Sequence, residues 1–370
     1  MTINKPAHIT GSVARTLLAL TFLFSGFVKA VDPVGTVYKI EDYLTAFGGV
    51  CISLLPLATA AAVLLILTEW TLGVMMLCNV RTNLTAWLSL VFYAVMTPLT
   101  LYIALTNPIS DCGCFGDALV ITNWQTFWKN VVLTALVIVL LCTKRHIPQT
   151  FVWWAELGLA LIGLALAGGL MFYTHFHLPI IDFRPYKIGN NIPELMEIPE
   201  GAPHDEYAVT LIYEKDGVEQ EFTLQDYPRN DSTWRFVDQR STLVSKGYEP
   251  PIHDFVLVDY EGEDLTYDLL EMERVVCAVM YDLDKTDLSQ LPKLVALSCT
   301  CEEQDTPFYI LTSATDQQIE EFVEANNLVL DRSLFLTADG IMLKTIVRAN
   351  PGVFVIENGT ITDKYNIRNR

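Results

Sequence analysis

Five apolar runs, each near the length that a helix needs to cross a bilayer, constrain this chain more than any other feature. They extend from Val13 to Val28, Leu54 to Cys78, Leu84 to Leu105, Phe127 to Cys142 and Phe151 to Phe172. A hydrocarbon core about 30 Å thick takes roughly 20 residues of helix. Lipid accepts such segments as helices because every backbone N–H and C=O is then satisfied internally. The residues after the first run, "SGFVKAVDP", lack a small-x-small cleavage signal, which predicts a retained helix and not a signal peptide.

Charge divides the chain where the apolar runs end. Residues 1–180 hold 8 Lys/Arg and 7 Asp/Glu, whereas residues 181–370 hold 16 and 36 and carry a net charge of −20. So acidic a second half argues against nucleic acid or anionic lipid as its direct ligand. It is equally what solubility alone would produce. The predicted organisation is a membrane domain over 1–178, a connector with a β-hairpin over 179–250 and a soluble α/β domain over 251–370.

The short loops give an orientation. Lys5, Arg15, Arg81, Lys144 and Arg145 fall on one side with no acidic loop residue. Lys29, Lys39 and Lys129 fall on the other, beside Asp32, Glu41, Asp42, Asp111 and Asp117. The positive side faces the cytoplasm. The amino terminus is then expected inside a bacterial inner membrane, and the acidic domain outside, in the periplasm, where disulfides persist.

On this map the 8 cysteines sort by compartment. Cys78 and Cys142 end cytoplasmic helix turns and read as small hydrophobes, and Cys51 lies near the outer end of the second run. Cys112, Cys114, Cys277, Cys299 and Cys301 are expected outside. Cys112 and Cys114, in "NPISDCGCFGDALV", fit a redox pair, a local staple or half of a metal site. The tight ring that a Cys-x-Cys disulfide closes is easily reduced, while so short a loop contributes little entropy as a staple. Zinc wants four N or S ligands and no histidine is near in sequence, so no metal is expected. Glu69, in "LILTEWTLGVMML", is an acid inside the second run, where isolated charge is expensive. It reads either as a proton relay or as a packing contact, with Arg15 or Lys29 as its partner.

"RTLLALTFLFSGFVKAVDPVGTVYKIEDYL", "TEWTLGVMML" and "DCGCFGD" together resemble the bacterial MauE/DoxX-like membrane family over roughly residues 10–145. That arrangement is in turn similar to vitamin K epoxide reductase-like and DsbB-like thiol oxidases. The resemblance implies electron transfer from periplasmic or envelope proteins through Cys112 and Cys114, with a quinone as candidate acceptor. The chain departs from the oxidase pattern in having no Cys-x-x-Cys and no second membrane pair.

In the second half, "YAVTLIYEKDGVEQEFTL" alternates about Asp216-Gly217 and predicts a hairpin. From Ile252 strands and helices alternate, with a capped helix opening at Thr315-Asp316 and a last hairpin turning at Asn358-Gly359. This order resembles a thioredoxin-like domain of the TlpA/peroxiredoxin type, which implies that Pro351 occupies that family's cis-proline position. Where such a domain carries Cys-x-x-Cys, this chain has Asp282-Leu283-Asp284-Lys285. Cys299 and Cys301 follow about fifteen residues later. Positions i and i+2 of a helix point to different sides, which predicts that this pair lies in the turn after the helix, either as a structural disulfide or as a relay to Cys112–Cys114. Glu302, Glu303 and Asp305 should raise its thiols. Three functions remain open: a thiol–disulfide oxidoreductase with Cys112, Cys114, Cys299 and Cys301 as its catalytic residues, a non-catalytic scaffold that binds partners, or a subunit of a quinone-linked oxidoreductase with Glu69 in proton transfer.

Overall fold

The computed structural model describes residues 5–109, 113–148, 150–229, 231–245 and 247–370. Its membrane half holds six helices: α1 Lys5–Val31, α2 Pro33–Phe47, α3 Ala58–Leu77, α4 Thr82–Thr106, α5 Asn123–Thr143 and α6 Trp153–Phe176. Among the described residues five helical stretches are long and apolar enough to cross a membrane, in the five regions expected. Of the α-helices described in this half, α2 corresponds to no apolar run and was not expected. It starts because Asp32 accepts from the Gly35 N–H and Pro33 supplies a preset first turn. None of its residues is buried.

α1 is the hub of the bundle, packing on α3, α5 and α6. Leu18, Phe22, Leu72, Met76, Leu133 and Val137 form its core. Two glycines set how closely α1 meets α3. A Cβ on Gly26 would lie 2.8 Å from the Trp70 backbone nitrogen, and one on Gly73 would lie 2.8 Å from that of Leu23. Small residues let two backbones approach in lipid, where packing takes over from the hydrophobic effect. At the opposite end of the bundle Glu156, almost wholly buried, pairs with Arg81.

The soluble half contains α7 Ile192–Met196, then a three-stranded antiparallel sheet of β1 Glu206–Lys215, β2 Val218–Thr223 and β3 Arg235–Ser245 in the order β2-β1-β3. β1 and β2 turn at Asp216-Gly217, both at positive φ, as expected. β3 was not foreseen.

Beyond it come α8 Thr266–Glu271, β4 Val275–Val279, α9 Leu291–Glu303, β5 Phe308–Thr312, α10 Asp316–Ala325, β6 Phe335–Thr337, α11 Gly340–Ile346, β7 Gly352–Glu357 and β8 Thr360–Asn366. The second sheet has the order β6-β5-β4-β7-β8. β4, β5 and β6 are parallel, and β7 and β8 run against them. Every residue of β4, "VVCAV", is buried, as a central strand covered on both faces must be. Val275, Cys277 and Val279 face one core with Tyr186, Phe255 and Phe354. Val276 and Ala278 face the other with Leu294, Cys301 and Ile319. Tyr186 and Ile192, from the connector, are buried in the first of these cores. The Asn350–Pro351 bond is cis, as expected, and Asn358-Gly359 turns the last hairpin.

One expectation fails. Cys299 and Cys301 do not lie in a turn after the helix but inside α9, which runs on to Glu303. The chain leaves helical geometry at Gln304, followed by Asp305 at positive φ two residues before Pro307. No residue before that point breaks the helix. Cys299 is therefore exposed, Cys301 is buried, and neither is in a disulfide.

Candidate functional site between the membrane helices and the soluble half

The close crossing of α1 and α3 brings three polar side chains together. Ser25 and Lys29 are four residues apart and share one face of α1, and this face meets Glu69 of α3. The Lys29 ammonium donates to Glu69 Oε2 at 2.8 Å, to Ser25 Oγ at 2.6 Å and to the backbone oxygen of Cys114 at 2.6 Å. Its three protons thus have three oxygen partners. Ser25 Oγ lies 2.8 Å from Glu69 Oε2 and 2.9 Å from the Cys114 oxygen. All of this is buried: the Lys29 and Glu69 side chains are each only 6% exposed. Of the two partners expected for Glu69, the structure selects Lys29; Arg15 instead donates to the Met76 carbonyl.

The network therefore holds the Cys114 loop by its backbone. Gly113 and Gly116 both take positive φ, and a Cβ on Gly113 would meet the Lys39 side chain at 2.8 Å. Glycine is the residue that adopts such angles without strain. Phe115, between Cys114 and Gly116, packs on Phe24 with the Lys129 ammonium 4.3 Å from its ring centre. Asp111 and Cys112 lie outside the described residues.

Cys114, Lys29 and Glu69 line a cavity of about 410 Å³, together with Asp32, Lys39 and Asp117. Ile40, Leu44 and Phe47 of α2, Leu65 of α3, and Leu99 and Ile103 of α4 make its apolar wall. Its outer side is covered by Ile181, Phe183 and Arg184 of the segment leaving α6, and by Arg348, just after α11.

Arg348 joins the two halves of the molecule. Its Nε lies 2.9 Å from Asp32 Oδ2 and one terminal nitrogen 3.5 Å from Asp117 Oδ2. Burial alone would lower the Arg348 pKa, but Asp32 and Asp117 outweigh it and hold the guanidinium above its ordinary value. Asp117 shifts upward because burial outweighs its longer contact to Arg348. The 2.9 Å limb to Asp32 is the primary one. Alongside, the Tyr38 hydroxyl donates to that of Tyr281 at 2.9 Å, and the Lys344 ammonium sits 5.0 Å from the Tyr38 ring centre. Burial, with Tyr281 next, pushes the Tyr38 hydroxyl well up.

A second buried cluster pins the covering segment. Asp182 takes bonds from Arg184 and Lys364. Burial raises the Asp182 pKa, but these two cations outweigh it and hold the carboxyl below its ordinary range. Lys364 is pushed down to about 8, by burial first and the nearby Arg184 charge second, against the pull of Asp182. Two buried cations share one carboxylate, so the ammonium gives way.

The cysteines of the soluble half are not drawn to this site. About ten residues of α9 separate Leu291 from Cys301, roughly 15 Å of helix. Burial pushes the Cys301 thiol up, and Arg274 opposes it; the neighbouring acids are not the cause. Burial also raises the Cys277 thiol. Asp282-Leu283-Asp284-Lys285 lies beside the cis-proline loop, where the Asn350 amide donates to the Asp282 carbonyl at 2.6 Å. Among the described residues no three His, Cys, Asp or Glu side chains form a metal-binding group. Asp32, Tyr38, Tyr281 and Arg348 were not singled out in the sequence as interacting groups. The one local signal was the Asp-Pro helix start at Asp32.

Residues 7–143 match the model of the family described as methylamine utilisation protein MauE. Residues 207–246, which hold most of the three-stranded sheet, match a domain of unknown function, DUF8463. No curated protein matches the chain. The chain is thus a membrane protein whose first four spans are similar to MauE.

Proposed function

We propose that this chain is a membrane-anchored thiol–disulfide exchange protein working through Cys112 and Cys114, with its amino terminus in the cytoplasm and its soluble domain in the periplasm of a bacterium. One observation carries the reading: the Cys114 backbone is held by a buried Ser25–Lys29–Glu69 network beside a cavity. A loop held only as a connector would not need an ion pair inside the membrane, where charge is costly. The Lys29–Glu69 pair and Ser25 hold the Cys114 backbone oxygen in place, which fixes where the loop presents its cysteine.

In the exchange a partner thiolate attacks the Cys112–Cys114 disulfide and one of its cysteines leaves as thiolate. The second partner thiol then resolves the mixed disulfide, and two electrons pass from partner to chain. The apolar cavity beside Cys114 has the volume and lining for a quinone ring with part of its chain, and Ile40, Leu44, Leu65, Leu99 and Ile103 would hold it. Such a quinone, when bound, supplies a two-electron acceptor.

The soluble domain supports a thioredoxin-like reading through its strand order, its directions and the cis-proline before β7. It lacks the cysteines of that family's active site, so in this reading it binds and covers but does not react. The same lack favours a second reading, a non-catalytic scaffold. A titration of the native protein against glutathione buffers near about −200 mV, read by mass shift of the peptide carrying Cys112 and Cys114, separates the two. Reversible oxidation in that range supports exchange. A pair that resists reduction until the chain unfolds leaves the scaffold.

A further inference from the structure

The contact between the two halves differs in kind from the packing inside either. None of the three apolar cores spans both: two lie within the soluble half and one within the bundle. What joins them is polar: beside the cavity, Arg348 between Asp32 and Asp117, Tyr38 on Tyr281, and Lys344 over Tyr38, and at the end of α6, Arg368 over the Phe176 ring and the Asn369 amide donating to the Phe176 carbonyl. Interfaces of this type between domains release and re-form. The contact also lies where it matters, because Arg348 and the 181–184 segment close the outer side of the cavity that Cys114 lines.

We propose that the soluble domain is a displaceable cover, latched by Arg348, and that a partner polypeptide reaches Cys114 only by displacing it from Asp32, Asp117 and Tyr38. The covering residues show what chemistry this surface accepts. Two carboxylates on separate membrane elements take one guanidinium, and the tyrosine ring takes an ammonium. A partner that replaces the cover presents arginine or lysine beside its cysteine. The purpose assigned to the cover rests on the thiol-exchange reading above; the cover itself does not.

The test uses the full chain in detergent micelles, mildly reduced and exposed to a polymer-conjugated maleimide, with labelling at Cys114 followed by peptide mass spectrometry. Arg348→Gln is expected to raise the Cys114 labelling rate about tenfold or more, the scale on which breaking a buried charge contact shifts an opening equilibrium. Asp32→Asn should act in the same direction and more weakly, because Asp117 remains. Tyr38→Cys and Tyr281→Cys, bridged by a short bis-maleimide before reduction, should slow labelling below that of the native protein. In Arg348→Gln a cationic methanethiosulfonate should gain more than an anionic one, because two carboxylates are uncovered. All of these proteins carry Cys299→Ser so that the bis-maleimide has no exposed α9 thiol to consume, rates are normalised to an added reference peptide thiol, and buried Cys277 reports whether the fold is intact. Should Arg348→Gln unfold the domain and label Cys277, the bridged protein decides alone. Equal Cys114 rates in the native, Asp32→Asn and bridged proteins overturn the proposal. The measurement reads access and not electron transfer, so its failure is distinct from failure of the redox titration.

Discussion

Lys29→Met is the most discriminating perturbation of the membrane half. In the native protein all three Lys29 protons are used, on Glu69, Ser25 and the Cys114 carbonyl. Methionine keeps the volume and removes the charge, leaving Glu69 buried with the Ser25 hydroxyl as its one hydrogen-bond donor among the described residues. Breaking one side of a buried ion pair costs about 3–5 kcal/mol. Ser25 has a single proton, so either Glu69 Oε2 or the Cys114 oxygen also loses its donor. Glu69→Gln should cost less, about 1–3 kcal/mol, because Lys29 keeps three oxygen acceptors of reduced strength. The double variant Lys29→Met/Glu69→Met removes both charges, and replacing a buried pair by apolar groups of similar size is close to neutral. The expected order is therefore Lys29→Met worst, Glu69→Gln intermediate and the double variant mildest. Denaturing-detergent titration in mixed micelles, with Glu69→Met added as the second single variant and analysed as a double-mutant cycle, measures it. The reasoning is refuted if the double variant loses about as much as its two singles added together, since the two groups would then not interact.

Three further outcomes are expected. Gly26→Ala places a Cβ 2.8 Å from the Trp70 backbone nitrogen, so it should destabilise the bundle by about 1–3 kcal/mol and loosen the Cys114 loop, measured by the same titration and by Cys114 labelling. The soluble half should show two pH limbs in thermal melts. Asp182, held below its ordinary range, contributes stability that is complete above the unfolded carboxylate value and lost as pH falls through the folded one. Lys364, pushed down to about 8 from 10.5, carries a folding cost that is complete below pH 8 and relieved as pH rises towards 10.5. Asp182→Asn should remove the acid limb and Lys364→Met the alkaline one. Finally, Cys299→Ser should change stability by less than about 0.5 kcal/mol and leave the potential of Cys112–Cys114 unmoved, while Cys277 resists alkylation until the sheet opens. A shifted potential would restore the α9 cysteines as a relay.

The membrane spans were legible in the sequence because length and hydropathy are properties of a continuous segment and bilayer thickness sets the scale. The Asp216-Gly217 and Asn358-Gly359 turns were legible for the same local reason: two residues tolerant of positive φ sit between alternating runs. Glu69 and the Cys114 loop could be marked as unusual, since an acid in a span and paired cysteines outside one stand out against their neighbours. Their relation could not be read. Lys29 becomes Glu69's partner, and Arg15 does not, because Gly26 and Gly73 bring α1 and α3 together beside Glu69, whereas Arg15 reaches the far end of α3. Cys299 and Cys301 were misplaced by a different route. The rule that i and i+2 cannot bridge in a helix was sound, but nothing obliged them to bridge, and the helix runs on until Asp305 and Pro307 end it. Arg348 meets Asp32 across 316 residues of chain. Hydropathy and turn chemistry act along the chain and decided which segments form; which charges face each other depends on how those segments pack, and only the tertiary structure decided it.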